Sequence, residues 1–150
     1  MKRNKIELMR LSIELSKLSF VDKTRIVPKV GAVLTDANGN ILSSAFRDKQ
    51  HCECEIIQKA KAAGIPLKDT TLFVTMEPCT YRNIEELPCA VQIVDNGIKN
   101  VFIGMDDPNK RINGRGVSYL MQNGILVRHY PRELAQEIAD INSDFIGKYL

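Results

Sequence analysis

"TLFVTM", residues 71–76, is the stretch that decides the fold, because it has the length and apolar character of a buried strand. Two further runs of this kind follow it, "NVFIGM" at 100–105 and "ILVRHY" at 125–130. Between them lie "CAVQIVDNG" (89–97) and "GVSYLMQNG" (116–124), which we predict to be helices. The order strand, helix, strand, helix, strand predicts parallel strands covered by helices on both faces.

The part of the chain before residue 71 adds an antiparallel pair. "VGAVLTD" (30–36) and "ILSSAF" (41–46) are joined by "ANGN", and Gly39 supplies the turn of a β-hairpin. The remaining predicted helices cover residues 4–19, residues 52–63 and a final segment from Pro131 to about Lys148. We therefore expect one α/β domain over residues 1–150. It should be a three-layer α/β/α sandwich on a five-stranded mixed sheet, in which an antiparallel hairpin precedes parallel strands.

The composition excludes several classes of protein. At 150 residues, with 44% hydrophobic and 26% charged residues, the chain is typical of a globular domain. A net charge of +3 is too small to indicate a nucleic-acid groove or a membrane surface. The basic start is interrupted by charged residues before any signal peptide could form, so we expect a cytoplasmic protein with no membrane contact. Cysteines in such a chain are more often metal ligands or nucleophiles than disulfides.

Four side chains predict a metal site. His51 falls at the start of the second predicted helix, Cys79 in the loop that leaves strand 71–76, and Cys89 in the first turn of the next helix. One imidazole and two thiolates form a three-ligand zinc site with an open fourth position, as in catalytic zinc centres. Glu53, two residues after His51, cannot share its helix face as a ligand. Its carboxylate can instead exchange protons with a water molecule in the open position.

The same residues form a known signature. Zinc-dependent nucleobase deaminases carry H-x-E followed by P-C-x-x-C, and here the match is "HCE" and "PC", with nine residues instead of two between the cysteines. Over residues 5–147 the chain resembles the cytidine/deoxycytidylate deaminase superfamily, and most closely the deaminase domain of the riboflavin-pathway diaminopyrimidine enzyme. That group also widens the cysteine spacing and has an Asp-Pro-Asn turn, here within "GMDDPN" (104–109). The resemblance implies one zinc per chain on His51, Cys79 and Cys89, with Glu53 as the proton shuttle.

The resemblance does not extend to every substrate-binding feature. The riboflavin enzymes have Asn-Pro-x-Val-Gly before the first strand, whereas this chain reads "VPKVG", with Val27 in place of the asparagine. The loop between the cysteines also differs, and we expect no attached reductase domain. The form "EPCT-x-RN…PC" resembles a stand-alone bacterial branch. The residues that we expect to contact the substrate are Lys29, Arg82, Asn83, Asp107 and Asn109.

Simpler interpretations stand beside these assignments. The four-residue set could be a structural zinc site or chance, and the loop at Arg82 could be solvated instead of contacting substrate. Cys52 and Cys54 should point away from His51 and Glu53 and pack as small apolar residues. His129 should be a half-buried strand residue and not a ligand. The apolar residues of the last predicted helix could bind a partner or cover the chain's own sheet, and they are Leu134, Ile138, Ile141 and Phe145.

The function predicted is hydrolytic removal of an exocyclic amine from an aminopyrimidine or related nucleobase, nucleoside or nucleotide, with release of ammonia. One alternative is a deaminase that edits bases in tRNA or single-stranded DNA, which would need a basic surface rich in aromatic side chains. With 6% aromatic residues and no tryptophan, nucleic acid is not the expected partner. Another alternative is a non-catalytic zinc-stabilised module, which would have no use for Glu53. We also expect self-association into a homodimer or a larger assembly.

Overall fold

The structure, a computed structural model, describes residues 2–81 and 87–150. Within these residues helices and strands alternate largely as the sequence predicts. The helices are α1 (Lys5–Ser16), α2 (Cys52–Ala62), α3 (Cys89–Asp95), α4 (Arg115–Gln122), α5 (Arg132–Ile141) and α6 (Ser143–Gly147). The strands are β1 (Gly31–Thr35), β2 (Ile41–Phe46), β3 (Thr71–Met76), β4 (Asn100–Met105) and β5 (Leu126–His129).

The five strands form one mixed sheet in the order β2-β1-β3-β4-β5. Strand β1 is antiparallel to both β2 and β3, whereas β3, β4 and β5 run parallel. The hairpin between β1 and β2 turns at Gly39, whose φ of 87° lies in the left-handed region that favours glycine. The predicted mixed sheet with its antiparallel hairpin is confirmed.

Helices cover both faces of the sheet. Because successive side chains on a strand point to opposite faces, Leu72 packs on one side and Phe73 on the other. Helices α1 and α5 pack on the Phe73 side, where this ring stacks on Phe102 with centroids 4.8 Å apart. Helices α2, α3 and α4 contribute Ile56, Ile93 and Leu120 to the cluster on the other side. The predicted three-layer sandwich is therefore confirmed.

The final helix differs from the prediction. A single helix from Pro131 to about Lys148 was expected, but the chain breaks at Asn142 into α5 and α6. The buried Asn142 side chain accepts a hydrogen bond from the Lys29 backbone N–H (2.8 Å) and donates to the Lys29 carbonyl (3.2 Å). These bonds connect the end of α5 to the loop that precedes β1. They join residues far apart in the chain, so the helical periodicity of the sequence does not reveal them.

The apolar residues of this region cover the chain's own core. Leu134, Ile138 and Phe145 are buried, and Ile141 is partly buried against the same core. They therefore give no support to the expected self-association. Within the described residues, no helix has the length and apolar character needed to cross a bilayer.

Candidate metal centre and active site

The strand directions bring distant segments to one edge of the sheet. Because β1 is antiparallel to its neighbours, its first residue lies beside the carboxyl ends of β2 and β3. Strand β4 ends at this edge too, since it is parallel to β3. The segments that leave β2, β3 and β4 therefore meet the segment that enters β1. Such an edge is where α/β sheets commonly bind ligands.

The three predicted zinc ligands converge at this edge. His51 is the N-cap residue of α2, Cys79 follows β3, and Cys89 is the first residue of α3. Nδ1 of His51 lies 3.3 Å from Sγ of Cys89 and 3.7 Å from Sγ of Cys79. One ligand atom from each residue lies within 4.8 Å of the others. Neighbouring ligands in a tetrahedral zinc site are separated by roughly 3.5–4 Å, so the cluster has the size and the donor chemistry that zinc requires.

The two thiols differ in their ionisation. The pKa of Cys79 is lowered to about 4, mainly because the Cys89 thiol donates a hydrogen bond to its sulfur and secondly because of the His51 ring. The pKa of Cys89 is raised, because its proton is held by Cys54 and Cys79 and because the side chain is buried. The two sulfurs are therefore close enough for each to affect the ionisation of the other. A bound divalent cation would allow both to ionise.

Glu53 lies beside the cluster in the first turn of α2. Its side chain is only 5% exposed, and Oε1 accepts a hydrogen bond from the Cys52 thiol at 3.1 Å. No residue in the described ranges hydrogen-bonds to Oε2 of Glu53. The carboxylate lines a cavity of about 110 Å³ together with His51 and Cys79. A proton-transfer group must lie within hydrogen-bond reach of the proton that it moves, and a carboxylate that lines the cavity can meet this requirement.

Glu77 is a site residue that the sequence analysis missed. Its buried carboxylate lines the cavity and accepts three backbone hydrogen bonds. Oε1 accepts from the N–H groups of Asp107 (2.9 Å) and Gly114 (3.1 Å), and Oε2 accepts from Val117 (3.0 Å). These bonds fix the segment between β4 and α4 against the end of β3. A carboxylate directly after an apolar strand, in "TLFVTMEPC", is the signal that could have identified it.

The predicted substrate residues lie at different places. Asp107 lines the cavity, and burial raises the pKa of its carboxyl group. Asn109 stabilises the turn that follows Asp107. Its N–H donates to Asp107 Oδ1, and its own Oδ1 accepts from the Arg111 N–H. Lys29 lines a separate cavity of about 350 Å³ next to Asn142. Arg82 and Asn83 lie outside the described residues.

Cys52 and Cys54 are buried as predicted, but the prediction that they point away from the site was wrong. The Cys52 thiol donates to Glu53 and the Cys54 sulfur lies 3.6 Å from the Cys89 sulfur. Cys52, Glu53 and Cys54 are consecutive buried residues in the first turn of α2, so neighbouring side chains of this turn contact one another and Cys89. Cys54 also accepts a hydrogen bond from Gln92 at 3.2 Å.

His129 lies on the edge strand β5, outside the metal-ligating group found among the described residues, as predicted. Its side chain is 48% exposed, close to the half-buried position that was expected. Its Nε2 lies 2.8 Å from Asp106 Oδ1, a surface pair of the kind that contributes little to stability.

Comparison with known proteins gives consistent matches. The sequence model of the cytidine and deoxycytidylate deaminase zinc-binding region matches residues 2–105. A diaminohydroxyphosphoribosylamino-pyrimidine deaminase of Buchnera aphidicola subsp. Schizaphis graminum is 36% identical over 120 residues, which is 80% of each chain. The riboflavin biosynthesis protein RibD of Buchnera aphidicola subsp. Baizongia pistaciae is 32% identical over 140 residues, which is 93% of this chain and 36% of that protein.

A solved structure agrees with the sequence matches. The diaminohydroxyphosphoribosylaminopyrimidine deaminase/5-amino-6-(5-phosphoribosylamino)uracil reductase of Thermotoga maritima superposes with a TM-score of 0.83 at 33% identity. The superposition covers 95% of this chain and 40% of the Thermotoga protein. The chain thus spans most of the first relative's length, but well under half of the RibD protein and of the Thermotoga protein.

Proposed function

We propose, on the premise that this chain belongs to the cytidine and deoxycytidylate deaminase zinc-binding family, that it deaminates an aminopyrimidine carrying a phosphorylated ribose. The family match makes the chain a zinc-dependent hydrolytic deaminase of pyrimidine-type rings, as the sequence predicts. The phosphoribosyl group is the proposed part, and it is suggested by the named activity of the Buchnera relative. The observation that carries the proposal is the convergence of three metal-ligating side chains around a buried carboxylate in one cavity.

His51, Cys79 and Cys89 are the proposed zinc ligands. Their ligand atoms lie close enough to bind one ion, and no fourth side chain joins them within the described residues. A position is thereby left for water or substrate, which distinguishes a catalytic zinc site from a structural one. When bound, zinc supplies a Lewis acid that makes a water molecule acidic enough to react at neutral pH.

Glu53 is the proposed proton carrier. Its side chain lines the cavity, so the carboxylate can accept the proton of the attacking water and pass it to a ring nitrogen. After the water oxygen has added to the amine-bearing ring carbon as a hydroxyl group, the carboxylate takes the proton of that hydroxyl and donates it to the amine as the carbon–nitrogen bond breaks. The ring keeps the water oxygen as a carbonyl group, and the amine leaves as ammonia. The Cys52 thiol, which donates to Oε1, holds the carboxylate in place.

The cavity walls suit a flat heterocycle. Pro28, Val30 and Met76 supply apolar surface, while Glu77 and Asp107 supply carboxylates. Glu77 is occupied by three backbone N–H groups, so its role is to position the Asp107 segment. Asp107 is then the carboxylate available to accept hydrogen bonds from amino groups on the ring.

The test is ammonia release from a panel of substrates. The panel contains the diaminohydroxy-phosphoribosylaminopyrimidine named for the relatives, dCMP, cytidine and unmodified tRNA. We expect the zinc-loaded protein to act on the first of these. Activity on tRNA alone would replace the proposal with base editing, and inactivity on the whole panel would contradict it.

Glu53→Ala tests the assigned role. The variant should keep its zinc and its fold, while ammonia release falls by a factor of roughly 10² to 10⁴. Glu55→Gln is the matched control, because Glu55 lies on the same helix but pairs with Lys59 at 3.2 Å. It should keep full activity. Loss of zinc from Glu53→Ala, or unchanged activity, would show that Glu53 is not the proton carrier.

The remaining expectations stay predictions. A single domain over residues 1–150, a cytoplasmic location and self-association are part of the proposal. Light scattering that shows only a 16.9 kDa species at micromolar concentration would remove self-association.

A further inference from the structure

We propose that Arg47 determines specificity by binding the phosphate of the substrate at the mouth of the cavity. This inference rests on the proposed function and names the group that would distinguish a phosphorylated substrate from a free nucleoside or base. The sequence analysis did not identify Arg47, because a single arginine after a strand matches no motif.

The backbone of Arg47 is held on both sides. The residue follows the last residue of β2, and its N–H donates to the Val30 carbonyl at 2.8 Å. Its carbonyl accepts from the Phe20 N–H, also at 2.8 Å. With the main chain fixed between two segments, the half-buried side chain lines the same cavity as Glu53 and Cys79.

The guanidinium of Arg47 has no partner among the residues that the structure describes. It makes no ion pair there, although Glu53 and Asp107 line the same cavity, and no hydrogen bond to its side chain is found. A guanidinium carries five N–H donors in a planar fork that matches phosphate oxygens. Leaving these donors partly buried and unpaired is unfavourable, so the position is suited to an anionic ligand.

The electrostatics agree with this assignment. Burial lowers the pKa of the Arg47 side chain, and the neighbouring charge of Arg25 lowers it further. The negative groups nearby, which include Glu53 and Asp22, act in the opposite direction. Asp22 is already paired with Arg25 at 3.2 Å, so it does not neutralise Arg47. A phosphate group at the guanidinium would pair directly with its charge.

The size of the cavity places the phosphate outside it. A volume of about 110 Å³ is well below the 300–1,000 Å³ typical of pockets that enclose whole ligands, so it can hold little more than one ring. The phosphoribosyl group attached to that ring must therefore extend to the opening. Arg47 follows the end of β2, and its backbone N–H is bonded to Val30, another residue that lines the cavity, so we place its guanidinium at that opening.

The experiment compares two substrates in three variants. The phosphorylated aminopyrimidine and its phosphatase-treated product are tested with zinc-loaded wild type, Arg47→Ala and Arg47→Lys. We expect Arg47→Ala to reduce the ratio of kcat/KM for the phosphorylated over the dephosphorylated substrate by roughly 10- to 100-fold. Arg47→Lys should retain part of the ratio, because an ammonium keeps the charge without the planar fork. Arg128→Ala, at an exposed position on β5, is the matched control and should leave the ratio unchanged.

Binding of inorganic phosphate gives a second measurement that does not need turnover. Millimolar phosphate should raise the Tm of zinc-loaded wild type and of Arg128→Ala, but not that of Arg47→Ala. An unchanged substrate ratio, an equal loss on both substrates, or equal stabilisation of Arg47→Ala by phosphate would overturn the inference. Inactivity of wild type on both substrates would instead refute the proposed function, while the phosphate measurement would still decide the role of Arg47.

Discussion

Replacing Glu77 by glutamine should destabilise the protein without removing any zinc ligand. In the wild type, Oε1 accepts two backbone N–H groups and Oε2 accepts the N–H of Val117, in the first turn of α4. A glutamine has one oxygen and one amide nitrogen, so it can satisfy the two bonds at Oε1 or the one at Oε2. In either orientation its NH₂ group faces a backbone donor.

The expected change follows from these bonds. Hydrogen bonds to a charged group contribute about 1.5–3 kcal/mol each, and a buried donor left without a partner costs about 1–3 kcal/mol. The better orientation loses the bond to Val117 and weakens the other two, because the acceptor is no longer charged. Helix α4 also loses a negative charge at its N-terminus, where the N-cap residue Gly114 offers no side chain. We expect the free energy of unfolding to fall by about 2–4 kcal/mol, which corresponds to a decrease in Tm of roughly 5–15 °C.

The measurement is denaturant unfolding of the zinc-loaded protein, with zinc content determined in parallel. Glu133→Gln is the matched control, because Glu133 lies exposed in the first turn of α5. That change should stay within about 0.5 kcal/mol of wild type. Since Glu77 holds the Asp107 segment, kcat/KM should fall as well. A Glu77→Gln protein as stable as the Glu133→Gln control would refute the view that the three backbone bonds hold this segment in place.

Three further changes test the surroundings of the metal centre. Cys54→Ala removes a thiol 3.6 Å from the Cys89 sulfur and should weaken zinc binding by roughly 10- to 100-fold, measured by competition with a chelator. An unchanged zinc affinity would show that Cys54 does not support the ligand Cys89. Gly116→Ala places a Cβ against the Pro78 carbonyl oxygen, closer than van der Waals contact allows, and should cost about 1–3 kcal/mol in unfolding free energy. Gly147→Ala, with no atom within 4 Å of the new Cβ, should be neutral or stabilising by up to about 1 kcal/mol, and equal effects at both glycines would contradict the close approach. Chelation of zinc should lower the Tm reversibly, and a Tm insensitive to both chelation and zinc addition would exclude a metal that stabilises the fold.

Local patterns identified most elements but not the contacts between distant segments. The strands at 71–76 and 100–105 were predicted with the bounds that the structure has, because each is a compact apolar run between polar residues. The break at Asn142 was not predicted, since it depends on hydrogen bonds to Lys29 far away in the chain. Cys54 was placed wrongly for a similar reason. Its position in the sequence indicates on which face of α2 the side chain lies, but not that α3 packs against that face.

The amino-acid sequence by itself determined the chemistry and the order of the elements. The pattern "HCE…EPC…PC" identifies the deaminase family and its zinc, and the apolar runs identify a mixed sheet, because both depend on residue types at short spacing. Only the tertiary structure decided which other side chains reach the cavity. Arg47 follows β2 and Glu77 follows β3, and they line one cavity because β1 runs antiparallel between those two strands. Contacts across a sheet depend on strand order and direction, which no local spacing encodes.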